Sequence, residues 1–175
     1  MPRIFFNWPR TARHLALLVT TLACGCTSAE PKMVGGMTGE VYNYSKEGFA
    51  LVKLNGKTVG TATKKAKIGE VTSGGGICCV SMPLGAATAT VLLDPSKGEP
   101  VTVTATVEKW WPDLASSAIV HILPGRKVVV SIGPNTWPRK DLLDARIKEL
   151  GLTSEYNDPN DPWTLGPLER TDGVK

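Results

Sequence analysis

Histidine is scarce in this sequence, and the shortage disfavours two kinds of chemistry. The 175 residues contain 2 histidines, and His14 lies in a basic leader, so only His121 remains in the rest of the chain. A serine or cysteine nucleophile needs a positioned base, and no other histidine supplies one. Ligand spacing typical of a zinc site is absent as well. We therefore expect no enzymatic activity, no cofactor and no metal.

Charge of one sign is also lacking. The formal net charge is +4, but Arg3, Arg10 and Arg13 belong to the first 25 residues, which contain no acidic residue. Basic and acidic side chains nearly cancel in the remainder. A nucleic-acid partner that is bound through its phosphates is therefore disfavoured, and so is a polybasic membrane-surface domain.

No apolar run near the N-terminus is long enough to cross a bilayer. The run Leu15–Ala23 would cover roughly 14 Å as a helix, less than half of a hydrocarbon core of about 30 Å. A basic leader followed by such a run is typical of a secretory signal. The pattern predicts a signal peptide over residues 1–25.

A cysteine-containing segment of small residues follows the run and resembles the lipobox of bacterial lipoproteins. In those proteins the cysteine receives a diacylglycerol thioether, the leader is removed and the new amino terminus is acylated. Cys26 follows Gly25 and is the favoured acceptor, Cys24 is the alternative, and neither matches the ideal Leu-Ala-Gly-Cys spacing. Neither candidate is followed by Asp, so we expect an outer-membrane lipoprotein facing the periplasm. A cleaved secretory signal with incidental cysteines is the competing interpretation.

The rest of the sequence predicts a tether, one β-rich domain and a tail. Residues 26–37 are small, polar and turn-rich, which predicts a flexible tether. Residues 38–151 form the predicted domain, and residues 152–175 an irregular tail. The 18 Gly and 13 Pro favour short strands and many turns. The predicted strands are Gly39–Tyr44, Phe49–Leu54, Lys57–Ala62, Ile77–Met82, Thr88–Leu93, Val101–Val107, Ala118–Leu123 and Lys127–Ile132.

These strands predict a mostly β fold, either an antiparallel β-sandwich or a partly open barrel with one helix on the C-terminal side. Asn55-Gly56 predicts a hairpin that places Leu54 near Lys57 and Val52 near Val59. Pro124-Gly125 marks a second hairpin, and Val101–Val107 alternates between apolar and threonine side chains. The helix is expected at residues 141–150, with Asp141 as the N-cap, Gly151 as the stop and an apolar stripe of Leu142, Leu143, Ile147 and Leu150.

Cys78 and Cys79 are adjacent, which is unusual. Neighbouring side chains of a strand point to opposite faces, and Cα atoms ~3.8 Å apart lie below the usual disulfide range. An oxidising envelope nevertheless favours thiols that are buried or paired. Two interpretations stay open: a vicinal disulfide on a distorted backbone, or two inert buried thiols. A redox catalyst is less favoured because its usual spacing is Cys-x-x-Cys.

Two segments are candidates for contact with a partner. Gly74, Gly75 and Gly76 would let a ligand approach the backbone closely, although a flexible turn before a strand is the default interpretation. Trp110 and Trp111 are of the residue type that dominates binding hot spots, although tryptophan beside proline more often lies at the edge of a core. His121 is expected to be a packed or edge histidine rather than a catalytic base, and it shares a strand face with Ile119 and Leu123.

Several short motifs resemble bacterial lipoproteins that carry the domain of unknown function 3304. They are Tyr42-Asn43-Tyr44, Phe49, the Gly-rich stretch into Cys-Cys-Val-Ser-Met-Pro at 74–83, and Val-His-Ile-Leu-Pro-Gly at 120–125. The resemblance covers about residues 38 to 140 and implies an envelope protein anchored by its lipobox. Some relatives resemble immunity proteins made beside phospholipase effectors of the type VI secretion system. Leu84 stands where a tryptophan often follows the proline, which weakens any shared ligand surface there.

Together these observations predict a non-catalytic, lipid-anchored envelope protein. Its partners would be the membrane, through the anchor, and a secreted antibacterial hydrolase of the lipase type that it neutralises. The alternative is a structural or assembly lipoprotein of the envelope that has no effector partner.

Overall fold

The computed structural model describes residues 30–151 and 162–172. The predicted signal peptide, Cys24, Cys26 and most of residues 152–175 lie outside these residues. The described elements are β1 (Met33–Asn43), β2 (Phe49–Leu54), β3 (Lys57–Ala62), β4 (Thr72–Ser73), β5 (Ile77–Pro83), β6 (Thr88–Pro95), β7 (Val101–Val107), β8 (Ser117–Leu123), β9 (Lys127–Gly133) and α1 (Lys140–Glu149), with 3₁₀ turns at Pro112–Leu114 and Pro124–Arg126.

The nine strands form one sheet that curls into a nearly closed barrel. The strand order is β3-β2-β6-β7-β9-β8-β1, and the free edge of β1 pairs with β5 and β4. Closure occurs where β3 meets β1, since a Cβ at Gly39 would lie 3.0 Å from the Cβ of Val59. The mostly β prediction and its barrel alternative are confirmed. The sandwich alternative is wrong, and the sheet is mixed, because β1–β8 and β7–β9 are parallel pairs.

The barrel interior is filled by side chains that alternate along the strands. In β7, for example, Ala105 and Val107 are buried while the threonines are exposed, as the alternation predicts. Trp110 closes the interior at the end of β7. The largest fully buried apolar side chains are Phe49, Met37, Leu54, Met82, Leu93 and Ile122.

The β2–β3 hairpin forms at Asn55-Gly56, but its register differs from the prediction. Both turn residues have positive φ, as a tight hairpin of this kind requires. Leu54 pairs with Lys57 as expected, whereas Val52 pairs with Gly60 and not with Val59. Val59 is the extra residue of a β-bulge, and its side chain packs in the interior. Alternation along the sequence gives no sign of this insertion.

The first strand begins earlier than predicted, so the expected tether over residues 26–37 is too long. Met33 to Met37 belong to β1 and pair with the end of β5, with Met33 opposite Pro83. The glycines at 35 and 36 suggested a linker, but Gly36 has φ +81° and lies where the pairing register shifts. Met37 is fully buried, so this segment helps to build the core.

Helix α1 forms close to its predicted place, but its N-cap is Arg139 and not Asp141. The Asp141 carboxylate accepts hydrogen bonds from the Arg139 side chain instead of capping the helix. Leu143 and Ile147 bury the apolar stripe against Tyr44 on the outside of the barrel. The helix therefore adds an outer layer to the barrel wall.

Candidate functional site

The outer layer consists of α1, residues 134–139 before it, and the outward faces of β1, β8 and β9. Along β8, Val120 and Ile122 point into the barrel core. His121 lies between them in the chain and belongs to the other face, as expected from its alternation with Ile119. It is nevertheless fully buried, because the outer layer covers it.

His121 makes a hydrogen bond through each ring nitrogen. Its Nδ1 lies 3.2 Å from the Tyr44 hydroxyl, and its Nε2 lies 2.7 Å from Ser131 Oγ. Its ring also stacks on Tyr42, with 6.0 Å between the ring centres. Burial, together with the nearby positive charge of Arg139, lowers the pKa of His121 to about 3. The imidazole is therefore neutral at physiological pH.

Arg139 joins this cluster to the start of the helix. Its guanidinium is almost fully buried and forms ion pairs with Asp141, at 2.7 Å, and with Glu108. Burial alone would lower the pKa of Arg139, but the two carboxylates raise it above its usual value. Its backbone N–H also donates to the Tyr44 hydroxyl at 3.0 Å. Arg139 thus connects the segment after β7 and the helix through its side chain, and Tyr44 after β1 through its backbone.

Ser131 and His121 have the separation of a nucleophile and its base, but their surroundings oppose catalysis. A general base must become an imidazolium, which catalytic triads stabilise with a carboxylate at the other ring nitrogen. Here Nδ1 faces the Tyr44 phenol, and Arg139 adds a positive charge nearby. The cavity that Ser131 lines has a volume of about 30 Å³, close to the space of one water molecule. The cluster is suited to holding the outer layer in place.

A larger pocket opens where the β1–β2 loop, the β3–β4 loop, the β8–β9 turn and α1 meet; we call it the distal pocket. Its volume is about 190 Å³, below the roughly 300–1,000 Å³ of typical small-molecule sites. Ile68 is 52% exposed and Leu150 37% exposed at its rim. Its other lining residues include Tyr44, Ser45, Lys46, Glu47, Ala66, Lys67, Glu70, Pro124, Leu143 and Arg146.

The loops that form the distal pocket are fixed by buried polar side chains. The Asn43 amide donates to the carbonyl oxygens of Glu47, at 2.6 Å, and Lys64, at 3.1 Å. The Asn43 side-chain oxygen Oδ1 accepts from Ser45 Oγ at 2.7 Å. The Ala66 N–H donates to the Ser45 carbonyl oxygen, which ties the second loop to the first. The pocket is therefore preformed.

Charges around the distal pocket are mixed in sign and largely paired. Arg126 binds Glu47 at 2.9 Å across two of the loops. Lys67 with Glu70, and Arg146 with Glu149, form further pairs at 3.5 and 2.8 Å. An apolar rim among paired charges resembles the composition of protein interfaces.

The predicted glycine segment lies at the closure of the barrel. The Gly74 N–H donates to the Val41 carbonyl at 3.0 Å, and a Cβ there would collide with the carbonyl oxygen of Thr61. Gly75 lies against Glu40, whose carboxyl pKa is raised by burial although the Gly76 and Val41 backbone N–H groups lower it. The backbone of all three glycines is thus fixed by its neighbours, although Gly75 and Gly76 are exposed.

Cys78 and Cys79 form a vicinal disulfide, and both residues are exposed. The alternative of two buried thiols is therefore wrong. The disulfide occupies a β-bulge, because Met37 pairs with Val80 and Gly39 pairs with Ile77, which leaves two cysteines opposite one residue of β1. Cys79 has φ +76°, so the backbone is locally distorted, as the disulfide interpretation requires.

The two predicted tryptophans differ in exposure. Trp110 is 9% exposed, and its indole N–H donates to the Ala86 carbonyl at 3.4 Å. It packs in the core, so its prediction as a contact residue is wrong. Trp111 is half-buried, and the Lys109 ammonium lies 5.2 Å from the centre of its ring.

Sequence reasoning missed the distal pocket, Ser131 and Arg139. Ile68 is a lone apolar residue in a lysine-rich stretch, so it belongs to no periodic pattern. Arg139 looks like an ordinary exposed cation before a helix. One feature of the sequence could have indicated the pocket. The β1–β2 loop, the β3–β4 loop and the β8–β9 turn would lie at the same end of a barrel built from the predicted strands.

Within residues 30–151 and 162–172, no group of three His, Cys, Asp or Glu side chains is placed to hold a metal ion. None of the helices in these residues is both long and apolar enough to span a membrane. Comparisons of the chain with models of protein families, with curated proteins and with solved structures found no match. The resemblance to the 3304 family therefore stays a prediction.

Proposed function

We propose that this protein is a non-catalytic lipoprotein of the cell envelope that binds and neutralises a secreted lipase-type effector of a type VI secretion system. The lipid on Cys26 would hold it at the periplasmic face of the outer membrane. Its binding surface would be the distal pocket and the rim around it.

The size of the distal pocket is the observation that carries this proposal. A volume of about 190 Å³ suits one large apolar side chain better than a substrate, since small-molecule sites are usually larger. Interface hot spots are typically side chains that fill such pockets, surrounded by polar contacts that exclude water. Ile68 and Leu150 offer apolar contact at the rim, and the paired charges around them provide the polar surroundings.

Anchoring gives the proposed binder a physical advantage. A lipase-type effector acts on phospholipid, so its inhibitor is most useful when it is confined to the same surface. Confinement raises the effective concentration of one partner for the other without any new contact. Cleavage of the signal without lipidation would remove this advantage.

The chemistry of the buried cluster supports a non-catalytic role. The Ser131–His121 pair lacks a carboxylate partner and lies near Arg139, so proton transfer to the imidazole is unfavourable. We expect a serine-reactive fluorophosphonate to leave Ser131 unmodified in the folded protein. Modification of Ser131 would contradict this part of the proposal.

The test is direct competition between a strain that lacks this protein and its own parent. We expect the deletion strain to be killed on contact and to be rescued by the wild-type gene. Ile68→Asp places a charge on the pocket rim and should fail to rescue. Leu165→Asp is the matched control, because Leu165 is 77% exposed and is not among the residues that line the pocket.

Equal survival of the deletion strain and the parent would overturn the immunity role. A leaky envelope in pure culture, without any attacker, would favour the structural or assembly role instead. Rescue by Ile68→Asp as complete as that by Leu165→Asp would leave immunity in place and exclude the distal pocket as its binding surface.

A further inference from the structure

The barrel end opposite the distal pocket, which we call the proximal end, gathers four segments: residues 31–33, 55–57, 84–87 and 109–112. Backbone and side-chain contacts hold them together. The Leu84 N–H donates to the Lys32 carbonyl at 2.7 Å, and the Asn55 amide contacts the Met82 sulfur at 3.2 Å. The Trp110 indole joins the last segment to Ala86.

Two large apolar side chains are exposed at the proximal end. Met33 is 50% exposed and Leu84 is 45% exposed. Their backbones are adjacent, since Met33 pairs with Pro83 and the Leu84 N–H donates to the Lys32 carbonyl. Trp111 adds a half-buried indole. Tryptophan with apolar neighbours is characteristic of surfaces at a membrane interface.

Three lysines without an ion pair in the described residues lie at the proximal end, although the whole domain is nearly neutral. Lys32, Lys57 and Lys109 are exposed, and no carboxylate in the described residues forms an ion pair with them. The neighbouring acids Glu108 and Asp113 form ion pairs with Arg139 and Arg170, which also bind Asp141 and Asp172.

The chain also enters the barrel at this end. Six residues lie between Cys26 and Met33, and the seven Cα–Cα steps of a fully extended chain between them span at most about 25 Å. From Met33, β1 runs toward the distal pocket over 11 residues, about 33 Å of extended strand. A lipid on Cys26 would therefore keep the proximal end near the bilayer and let the distal pocket face away from it.

We propose that the proximal end rests on the phospholipid surface, with Met33, Leu84 and Trp111 at the headgroup boundary and the three lysines against anionic headgroups. This inference depends on the lipid anchor of the proposed function. It goes beyond that function by fixing an orientation in which the distal pocket points into the periplasm. Three lysines are too few for a polybasic domain, so the apolar contacts must contribute to binding.

A tethered chain on vesicles tests the contact. The chain from Cys26 to Lys175 is made without its leader, and Cys26 is coupled to a maleimide phospholipid while Cys78 and Cys79 remain in their disulfide. Vesicles of phosphatidylcholine with phosphatidylglycerol carry bromine on the acyl chains, which quenches nearby tryptophan. We expect quenching of the wild type and at least a threefold loss of that quenching in Leu84→Asp.

Ile68→Asp is the matched control, because it adds the same charge at the distal end and should leave the quenching unchanged. Trp111→Phe should remove most of the quenching, which places the indole at the surface. Vesicles of phosphatidylcholine alone should quench less than those containing phosphatidylglycerol. Circular dichroism of each variant checks that the barrel is intact, as expected for substitutions at exposed positions.

Equal quenching in Leu84→Asp and Ile68→Asp would overturn the proposal, and so would the absence of quenching in the wild type. Loss of rescue by Leu84→Asp in the competition assay, without vesicle quenching, would assign this end to a protein partner instead. Because the coupling replaces natural lipidation and needs no effector, this result is independent of the competition assay.

Discussion

The inner face of the barrel wall and the part of its outer face that the outer layer covers are both buried, but they are stabilised in different ways. Inside, residues such as Val120 and Ile122 make an apolar core that is free of charge. Outside, on the same strand, His121 belongs to a cluster with Tyr44 and Arg139. The inner face is stabilised by the removal of apolar area from water, and the outer face by hydrogen bonds and ion pairs. Only the stabilisation of the outer face depends on the protonation of a side chain, that of His121.

The distal pocket depends on the outer face. Helix α1 supplies Leu143 and Arg146 to the pocket, and its C-cap residue Leu150 lines it as well. The helix is held to the barrel through Arg139 and Tyr44. No buried side-chain nitrogen or oxygen among the described residues lacks a hydrogen-bond partner. A complete network of this kind is costly to interrupt, because each remaining partner would be buried and unsatisfied. Changes to the cluster should therefore reach the pocket before changes to the core do.

The largest effect is expected from Arg139→Met, which removes the cation at the centre of the cluster. It leaves Glu108 partly buried without its partner and frees the start of α1. Breaking a buried ion pair from one side costs about 3–5 kcal/mol. Chemical denaturation should show a loss of this size.

Arg126→Met is the matched control, since the Arg126–Glu47 pair is partly exposed at both residues. Pairs of that kind contribute about 0–1 kcal/mol. Similar losses in the two variants would mean that Arg139 does not organise the outer layer.

The core should respond to a cavity with a loss that does not vary with pH. Leu93→Ala removes a fully buried side chain from the barrel interior, at an expected cost of about 2–5 kcal/mol. Because no titratable group is altered, the loss should be constant between pH 5 and pH 8. A loss that changes steeply with pH would contradict the separation between the two faces.

The outer face should weaken in acid, and His121→Gln should remove much of that dependence. The folded-state pKa of His121 is about 3, below its ordinary value of 6.5. Between these values the unfolded chain binds more protons, so stability falls as the pH is lowered from 6.5 toward 3. The slope contributed by this residue is up to ~1.4 kcal/mol per pH unit.

The test is to measure the unfolding free energy of the wild type and of His121→Gln from pH 7.5 to pH 5. We expect it to fall more steeply in the wild type as the pH is lowered. Other groups that titrate in acid, such as Glu40 with its raised pKa, are present in both proteins and cancel in the difference. Glutamine keeps a neutral hydrogen-bonding side chain between Tyr44 and Ser131. Parallel profiles for the two proteins would show that His121 does not set the acid response.

The inner face was more predictable from the sequence than the outer face. Strands β2, β3 and β7 have the bounds that alternation and the Asn55-Gly56 turn predict, because a half-buried strand repeats every second residue. The bulge at Val59 escaped prediction, since an inserted residue leaves the composition of a strand unchanged. The early start of β1 was hidden by Gly35 and Gly36, which resemble a linker.

The outer face depends on contacts between distant segments, which local patterns do not encode. Tyr44 and Arg139 are 95 positions apart, and their hydrogen bond exists only because the chain returns after β9. An arginine before a helix is ordinarily solvated. Arg139 is buried because it forms an ion pair with Glu108, which lies in the connection between β7 and β8. The distal pocket was missed for the same reason, as its loops are brought together by the closure of the barrel.

The smallest effect is expected at the vicinal disulfide, which belongs to neither face. Cys78 and Cys79 are exposed, and the loop they close is the shortest possible, so reduction should cost only about 1 kcal/mol. Mass spectrometry of the chain from Thr27 should show no alkylation before reduction and two adducts afterwards. The double variant Cys78→Ser/Cys79→Ser should match the reduced protein in its unfolding free energy. Alkylation of unreduced protein would contradict the disulfide, and a loss of several kcal/mol would show that this bulge supports the core through the buried Val80 beside it.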